Sequence, residues 1–365
     1  MDIAQIFFSL LEFTYKNKYP DIHIVSGKRP YIRNSSGELI DVNEIENENG
    51  VKEQIEAFSK NDVFEIIKIL AGDDGAMKFI ENFELDTSYA FKDIERYRVN
   101  CYMDTNGYSI AMRIIPREIP TLEQLGLGDV IKTMCSKSKG LILMTGPTGS
   151  GKSTNLAGMI DFINTNFKKH IITIEDPVEF SFESKKSLIN QRELGNNTKS
   201  FENAMKSILR EDPNIIMLGE MRDPETIRTA LTLAETGHLV LSTLHTNDTV
   251  QTVDRIVDIF PGTQQEQIRM QLAMSLIGII SQRLVPREDK EGRIAAREIL
   301  IANDAIRNLI ITGKTHQLYS VLEVGQKEGM ILMDKYLLAL YKKNIISKDT
   351  LLSFARDKEI LEMSV

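Results

Sequence analysis

A nine-residue segment rich in glycine and hydroxyl side chains offers the clearest chemistry in this sequence. It reads Gly146-Pro147-Thr148-Gly149-Ser150-Gly151-Lys152-Ser153-Thr154, with an apolar run at 141–144 before it and a helix-like run at 155–162 after it. A strand that ends in a glycine turn and opens into a helix directs backbone N–H groups and the positive helix end at one point, where phosphate oxygens bind. The segment therefore predicts a nucleotide phosphate-binding loop, in which Lys152 reaches the β- and γ-phosphates and Ser153 holds Mg²⁺.

Two carboxylates follow apolar runs further along the chain. Glu220 comes after residues 215–218, and Glu175 comes after residues 171–174. Ligands of open parallel sheets bind beyond the carboxyl ends of the strands, so both side chains are expected near the loop. We expect Glu220 to support Mg²⁺ and Glu175 to polarise the attacking water, and the sequence leaves the exchanged assignment open. An ordinary strand-end acid stays an alternative for Glu220.

Two histidines flank the apolar run 239–244. His238 precedes it and His245 follows it. Histidines at the two ends of one strand in a nucleotide-binding fold could position and then sense the γ-phosphate, so both are candidate site residues. A lone histidine is more often structural, and that default is kept for the three others in the chain.

Composition narrows the class of protein. The chain has 365 residues, 42% of them apolar, which is enough to bury a sizeable core and favours two domains. The net charge of −8 argues against nucleic acid as a direct partner.

Cys101 and Cys135 form no CxxC pair, which favours buried thiols over a zinc site or disulfide. Without a basic leader or a long apolar run, we expect a cytosolic location.

The elements that must position these residues change character near residue 118. Short alternating runs at 22–25, 31–33, 97–102 and 110–115, together with an amphipathic helix, predict an α+β domain over residues 1–118. Pro116 and Pro120 bracket a linker. From residue 119 to 365, apolar strands alternate with helices, which predicts an α/β domain with a mainly parallel sheet.

Taken in order, these motifs resemble the secretion-superfamily ATPases of type IV pili and type II secretion, and in particular their pilus-retraction members. The resemblance covers nearly the whole chain. The matching stretches lie at residues 21–24, 96–100, 188–193, 209–213, 219–223 and 305–310. It implies a PAS-like N-terminal domain, a RecA-like motor domain and a homohexameric ring.

The resemblance also implies a function. It points to an ATPase that uses ATP and Mg²⁺ to retract type IV pili for twitching motility. Such a motor would work in the cytoplasm at the inner face of the cytoplasmic membrane, with an inner-membrane platform protein as partner. A paralogous retraction ATPase as a second partner stays open.

Three other functions stay open at this point. Assembly ATPases of pili or pseudopili usually carry an extra N-terminal region and a tetracysteine zinc module, and from this sequence we expect neither. The tail at 348–365 matches poorly, which leaves room for an accessory retraction paralogue. A nucleotide-gated scaffold without turnover is a non-enzymatic alternative, but the intact loop and both acids argue against it.

Two further features concern how ATP hydrolysis could be coupled to movement. Phosphoryl transfer needs more positive charge than Lys152 supplies, and Arg98 and Arg113, on strands of the N-terminal domain, are candidates for closing over the nucleotide. The helix at 305–310 is expected to bury its apolar face. Arg307 and Asn308 would then point away from the core, towards a neighbouring subunit or the membrane platform.

Overall fold

The structure, a computed structural model, describes residues 2–17, 19–34, 38–45, 55–92, 95–115, 118–290 and 292–363. Contacts divide the chain into two units. The first comprises Met1–Glu118 with Pro177–Ser181, and the second comprises Ile119–Asp176 with Phe182–Val365. Pro116 of the predicted linker lies outside the described residues.

The N-terminal unit is built on an antiparallel sheet. Its six described strands lie in the order β3-β2-β1-β6-β5-β4. The elements are α1 (Ile3–Lys16), β1 (Asp21–Val25), β2 (Tyr31–Arg33), β3 (Leu39–Asp41), α2 (Lys60–Asn82), β4 (Glu84–Phe91), β5 (Glu95–Asp104) and β6 (Gly107–Ile115).

Apolar spacing explains how this unit packs. Phe7, Leu10 and Leu11 recur at helical spacing on α1 and are buried. They belong to one core cluster with Ile22 and Ile24, which alternate on β1 and face the same side of the sheet. The predicted amphipathic helix and the predicted strands at 22–25 and 31–33 are confirmed, and the two strands pair with each other.

The second unit holds a mainly parallel sheet of seven described strands, in the order β13-β12-β7-β11-β10-β8-β9. Only the pairing of β12 with β13 is antiparallel among them. The strands are β7 (Gly140–Thr145), β8 (His170–Glu175), β9 (Leu188–Glu193), β10 (Ile215–Leu218), β11 (Leu239–Leu244), β12 (Leu276–Pro286) and β13 (Arg293–Ile301). The four predicted strands at 141–144, 171–174, 215–218 and 239–242 are confirmed, and so is the predicted fold class.

Helices flank this sheet, and α9 to α13 follow its last strand along the chain. They are α3 (Asp129–Cys135), α4 (Lys152–Asn166), α5 (Phe201–Ile208), α6 (Pro224–Glu235), α7 (Thr249–Asp258), α8 (Gly262–Ser275), α9 (Asp304–Ile311), α10 (Leu318–Val324), α11 (Met333–Lys342), α12 (Lys348–Phe354) and α13 (Lys358–Glu362). Apolar residues of β7 and β10 are fully buried between two helical layers, as expected for a parallel sheet.

Both cysteines are free and buried in the cores of their units. Burial raises the pKa of Cys101 and of Cys135 to about 12, because the thiolate loses its solvation. The prediction of buried thiols is therefore confirmed, and neither side chain is a reactive nucleophile at neutral pH.

The orientation predicted for Arg307 is wrong. Ile306 and Ile310 of α9 are buried as expected, but the Arg307 guanidinium folds back onto backbone carbonyls. It donates to Ala302 O at 3.1 Å, to Leu276 O at 3.2 Å and to the carbonyls of residues 273 and 274 at the end of α8. Helix ends leave carbonyls without intrahelical partners, and a cation that satisfies several of them is strongly held there.

We therefore expect Arg307→Ala to lower the free energy of unfolding by about 1–3 kcal/mol, because partly buried carbonyls would lose a charged donor. Asn308, the exposed neighbour on the same helix, is the matched control, and Asn308→Ala should stay within about 0.5 kcal/mol. Chemical denaturation of both variants measures the difference. Equal, small effects would show that the carbonyl contacts do not stabilise the junction of α8 and α9.

Candidate nucleotide site

The phosphate-binding loop connects β7 to α4 and depends on glycine. Gly146, Gly149 and Gly151 have φ of 143°, 73° and 84°, in the region that L side chains rarely adopt. At Gly146 a Cβ would also lie 2.2 Å from the backbone oxygen of Gln282. The loop can therefore turn sharply against β12 only because these positions lack side chains.

Lys152, the first residue of α4, lies over the loop. Its Nζ donates to Gly146 O at 2.9 Å and to Pro147 O at 3.0 Å, and the side chain is buried. Ser153 and Thr154 follow in the first helical turn, where backbone N–H groups have no intrahelical acceptor. The ammonium and the helix N-terminus thus converge at the loop, which suits phosphate oxygens.

A buried hydrogen-bond network that the sequence analysis did not predict supports the loop. Its members are Gln282, Asn155 and Arg297. The side chain of Gln282 donates from Nε2 to Ser150 O at 2.6 Å. Its Oε1 accepts from Asn155 Nδ2 at 2.7 Å and from Arg297 Nε at 2.6 Å. All three side chains are buried. Since Gln282 lies 132 residues from Ser150, no local pattern could have revealed this contact.

The two carboxylates lie at the ends of neighbouring strands. Leu218 of β10 pairs with Ile174 of β8, so Glu220 and Glu175 both follow that edge of the sheet. Glu175 is buried and accepts from Thr173 Oγ1 at 2.6 Å and from Gln191 Nε2 at 3.1 Å. These donors hold the carboxylate in one orientation.

Glu220 has a different environment. Its Oε2 accepts from Arg222 Nε at 2.8 Å, and its Oε1 lies 3.4 Å from His245 Nε2. The side chain is about one-fifth exposed, whereas Glu175 is 5% exposed. Two carboxylates with unlike surroundings at one sheet edge suit two different roles.

His245 connects the carboxylate to the loop. It follows β11, and its Nδ1 lies 3.5 Å from Thr148 Oγ1 while its Nε2 faces Glu220. The structure therefore brings together three residues from separate predicted motifs. A histidine with both ring nitrogens engaged can respond to a change at either neighbour.

His238 lies elsewhere. It precedes β11 and its Nδ1 lies 3.0 Å from Leu233 O. Its own carbonyl accepts from the N–H of Gly140, at the start of β7, whereas the loop follows the end of β7. A six-residue strand is about 20 Å long, so the structure does not bring His238 to the loop of its own chain.

Arg98 and Arg113 belong to the N-terminal unit, where they are cross-strand neighbours on β5 and β6. Arg113 makes two hydrogen bonds to Asp21, at 2.6 and 3.2 Å, and Arg33 adds a third at 2.9 Å. Burial acts to raise the pKa of Asp21, but the two guanidinium groups outweigh it and lower that pKa. The closing of Arg98 and Arg113 over a nucleotide stays a prediction.

Two side chains of the candidate nucleotide site fit a hard divalent cation. Ser153 offers a hydroxyl and Glu220 a carboxylate, and oxygen is the ligand that Mg²⁺ prefers. Two protein ligands are enough, because Mg²⁺ commonly completes its shell with water and substrate phosphates.

A protein-family model described as "Type II/IV secretion system protein" matches residues 87–330. This chain belongs to that family. The type IV pilus retraction ATPase PilT of Pseudomonas aeruginosa is 43% identical over 358 residues, which cover 98% of each chain. A twitching motility protein of Neisseria gonorrhoeae is 46% identical over 301 residues, covering 82% of this chain and 80% of the relative.

A solved structure agrees with these sequence matches. The crystal structure of the pilus retraction motor PilT with bound ADP superposes with a TM-score of 0.89, at 41% identity, and the match covers 98% of each chain. The predictions of a nucleotide-binding ATPase and of a relation to the pilus-retraction ATPases are confirmed. Among the described residues, no helix is both long and apolar enough to cross a membrane.

The geometry of the loop makes a direct prediction. Gly146→Ala should lower ATP turnover about a hundredfold, because the new Cβ would collide with the backbone of β12 and displace the loop by about an ångström. Gly128→Ala is the control, since a Cβ there has open space and ordinary φ. Steady-state phosphate release measures both. Full turnover in a folded Gly146→Ala protein would mean that the loop tolerates a different path.

Proposed function

We propose that the protein is a homohexameric motor that couples Mg²⁺-dependent ATP hydrolysis to retraction of type IV pili, and so to twitching motility. It would act in the cytoplasm at the inner face of the cytoplasmic membrane. The observation that carries the proposal is the convergence of the loop, His245 and Glu220, in a chain that resembles a pilus retraction ATPase along 98% of its length.

The chemistry assigns a role to each residue. The loop, residues 146–154, and Lys152 bind the phosphates and neutralise charge as it develops on the γ-phosphate. Ser153 and Glu220 would hold Mg²⁺, which supplies further charge neutralisation. Glu175, fixed by Thr173 and Gln191, would orient and polarise the attacking water, and the exchanged assignment of the two acids remains a second candidate.

His245 would report the state of the γ-phosphate. It lies between Thr148 of the loop and Glu220, so a change at the phosphate would alter the contacts that the imidazole makes with the loop and with the carboxylate. Positive charge from Arg98 and Arg113 would complete the site when the N-terminal domain, residues 1–118, closes over the nucleotide bound by residues 119–365. This closure would turn hydrolysis into movement against an inner-membrane platform protein, with or without a paralogous retraction ATPase.

Three substitutions test the chemistry. Lys152→Ala should abolish hydrolysis without unfolding the protein, because it removes the loop cation that stabilises the charge developing on the γ-phosphate in the transition state.

Glu220→Gln and Glu175→Gln should each lower kcat at least about a hundredfold while ADP still binds. Glu225→Gln, an exposed position on α6, is the matched control and should be silent. A hundredfold effect of one acid alone would remove the two-carboxylate division.

The cellular role needs a separate test. In cells that lack the gene, retraction predicts excess surface pili and no twitching, whereas an assembly role predicts cells without pili. Asn308→Ala, exposed on α9, then asks whether that surface couples hydrolysis to retraction: we expect normal ATPase activity and impaired twitching. Normal twitching would assign the coupling surface to other residues.

A further inference from the structure

A cavity of about 360 Å³ adjoins the loop on the side away from the two acids. It lies beside β12, and the sheet order β12-β7-β11-β10 puts β12 and Glu220 on opposite sides of the loop strand. Its lining includes Thr148, Gly149, Asn247, Arg283, Arg293 and Phe354. The volume is in the range of small-molecule sites.

The position of this cavity suggests which part of a nucleotide it would take. With the γ-phosphate directed towards His245 and Glu220, as the proposed function requires, the rest of the nucleotide must leave the loop on the opposite side. That side is the cavity. The inference below therefore rests on the proposed function.

Two arginines give the cavity its polar character. Arg283 Nε is buried and has no hydrogen-bond partner in the described part of the chain. Its Nη2 makes a long contact of 3.4 Å to Asn247 O. Arg293 begins β13 and is paired in register with Pro286 of β12. A guanidinium with a free donor and a flat face suits a ribose or phosphate oxygen and a planar base.

Phe354 closes the cavity from a distant part of the sequence. It is the last residue of α12 and is half-buried. The first turn of this helix is capped by Ser347, whose Oγ accepts from the N–H of Thr350 at 3.0 Å. Buried Leu351 belongs to one apolar cluster with Val285 of β12, which holds α12 against that strand.

The chain is fixed again immediately after Phe354. The carboxylate of Asp334 accepts from the backbone N–H groups of Arg356 at 2.8 Å and Asp357 at 2.9 Å. The Arg356 guanidinium also lies 3.2 Å from the centre of the Tyr319 ring. The contact of Leu351 before Phe354 and the hydrogen bonds of Arg356 and Asp357 after it fix the backbone on both sides, so the phenyl ring is held at the cavity.

We propose that Phe354 is a base-binding residue: its ring forms the wall on which the base of the bound nucleotide stacks, while Arg283 donates to the adjoining sugar or phosphate. Stacking on an aromatic ring needs only a flat π-face, so it adds affinity for the nucleoside without contacting the reacting phosphate. The C-terminal segment thereby becomes part of the nucleotide site.

The experiment separates the base from the phosphates. ADP binding is measured by calorimetry, and inorganic tripolyphosphate, which has no base, is measured as an inhibitor of hydrolysis. In Phe354→Ala we expect ADP affinity to fall about tenfold and the KM for ATP to rise in proportion, with kcat within about twofold. Inhibition by tripolyphosphate should not change. Phe354→Tyr, which keeps the ring, should restore ADP affinity.

Controls keep the outcome decisive. Ser353→Ala, an exposed neighbour on α12, should bind ADP like the parent protein. If Phe354→Ala does not fold, Phe354→Leu keeps apolar bulk without a π-face and should still weaken ADP binding selectively. Unchanged ADP affinity, or an equal loss for ADP and tripolyphosphate, overturns the stacking role but leaves the motor proposal intact. Failure of the parent protein to bind ADP at all would overturn both.

Discussion

The path of the backbone from β7 into α4 is the constraint on which the rest of the site depends. At Gly146 the chain passes so close to the carbonyl of Gln282 that a methyl group would not fit. The same Gln282 uses its side-chain amide to hold Ser150 and the first turns of α4. The loop is therefore pressed against β12 by backbone contact and tied to it by hydrogen bonds. This rigidity orients the N–H groups before any ligand arrives, and preorganised donors stabilise charge without a cost of reorganisation.

Arginines in this protein often act on carbonyls as well as on carboxylates. Arg297 is buried beneath the loop and bonds Gln282 together with the carbonyls of residues 125 and 126. Burial lowers the pKa of Arg297, but its ordinary value is high enough that the group stays charged. Arg307 does the same at the end of α8. A guanidinium presents five donors in a fixed plane, so one side chain can join several backbone segments that end at the same place.

The two carboxylates beyond the carboxyl ends of β8 and β10 lie in different environments. Glu175 is buried and fixed by two donors, whereas Glu220 is partly exposed and shares its carboxylate between Arg222 and His245. A parallel sheet makes this possible, because successive strands end at one edge and deliver side chains from distant parts of the chain to one place. Through His245 that edge is also in contact with the loop. Thr148, His245 and Glu220 thus form one continuous series of side-chain contacts from the loop to the end of β10.

The sequence by itself determined the elements whose signals are local. The glycine pattern at 146–151 and the apolar strands before Glu175 and Glu220 could be predicted, because each of these features depends on near neighbours in the chain. Only the tertiary structure decided the rest. Gln282 meets Ser150 across 132 positions, Arg307 turns onto α8 instead of outward, and Phe354 reaches a cavity at the loop. Periodicity shows which face of a helix is apolar, but it cannot show which carbonyl or cavity a long side chain will meet, because that partner is brought near only when the whole sheet has formed.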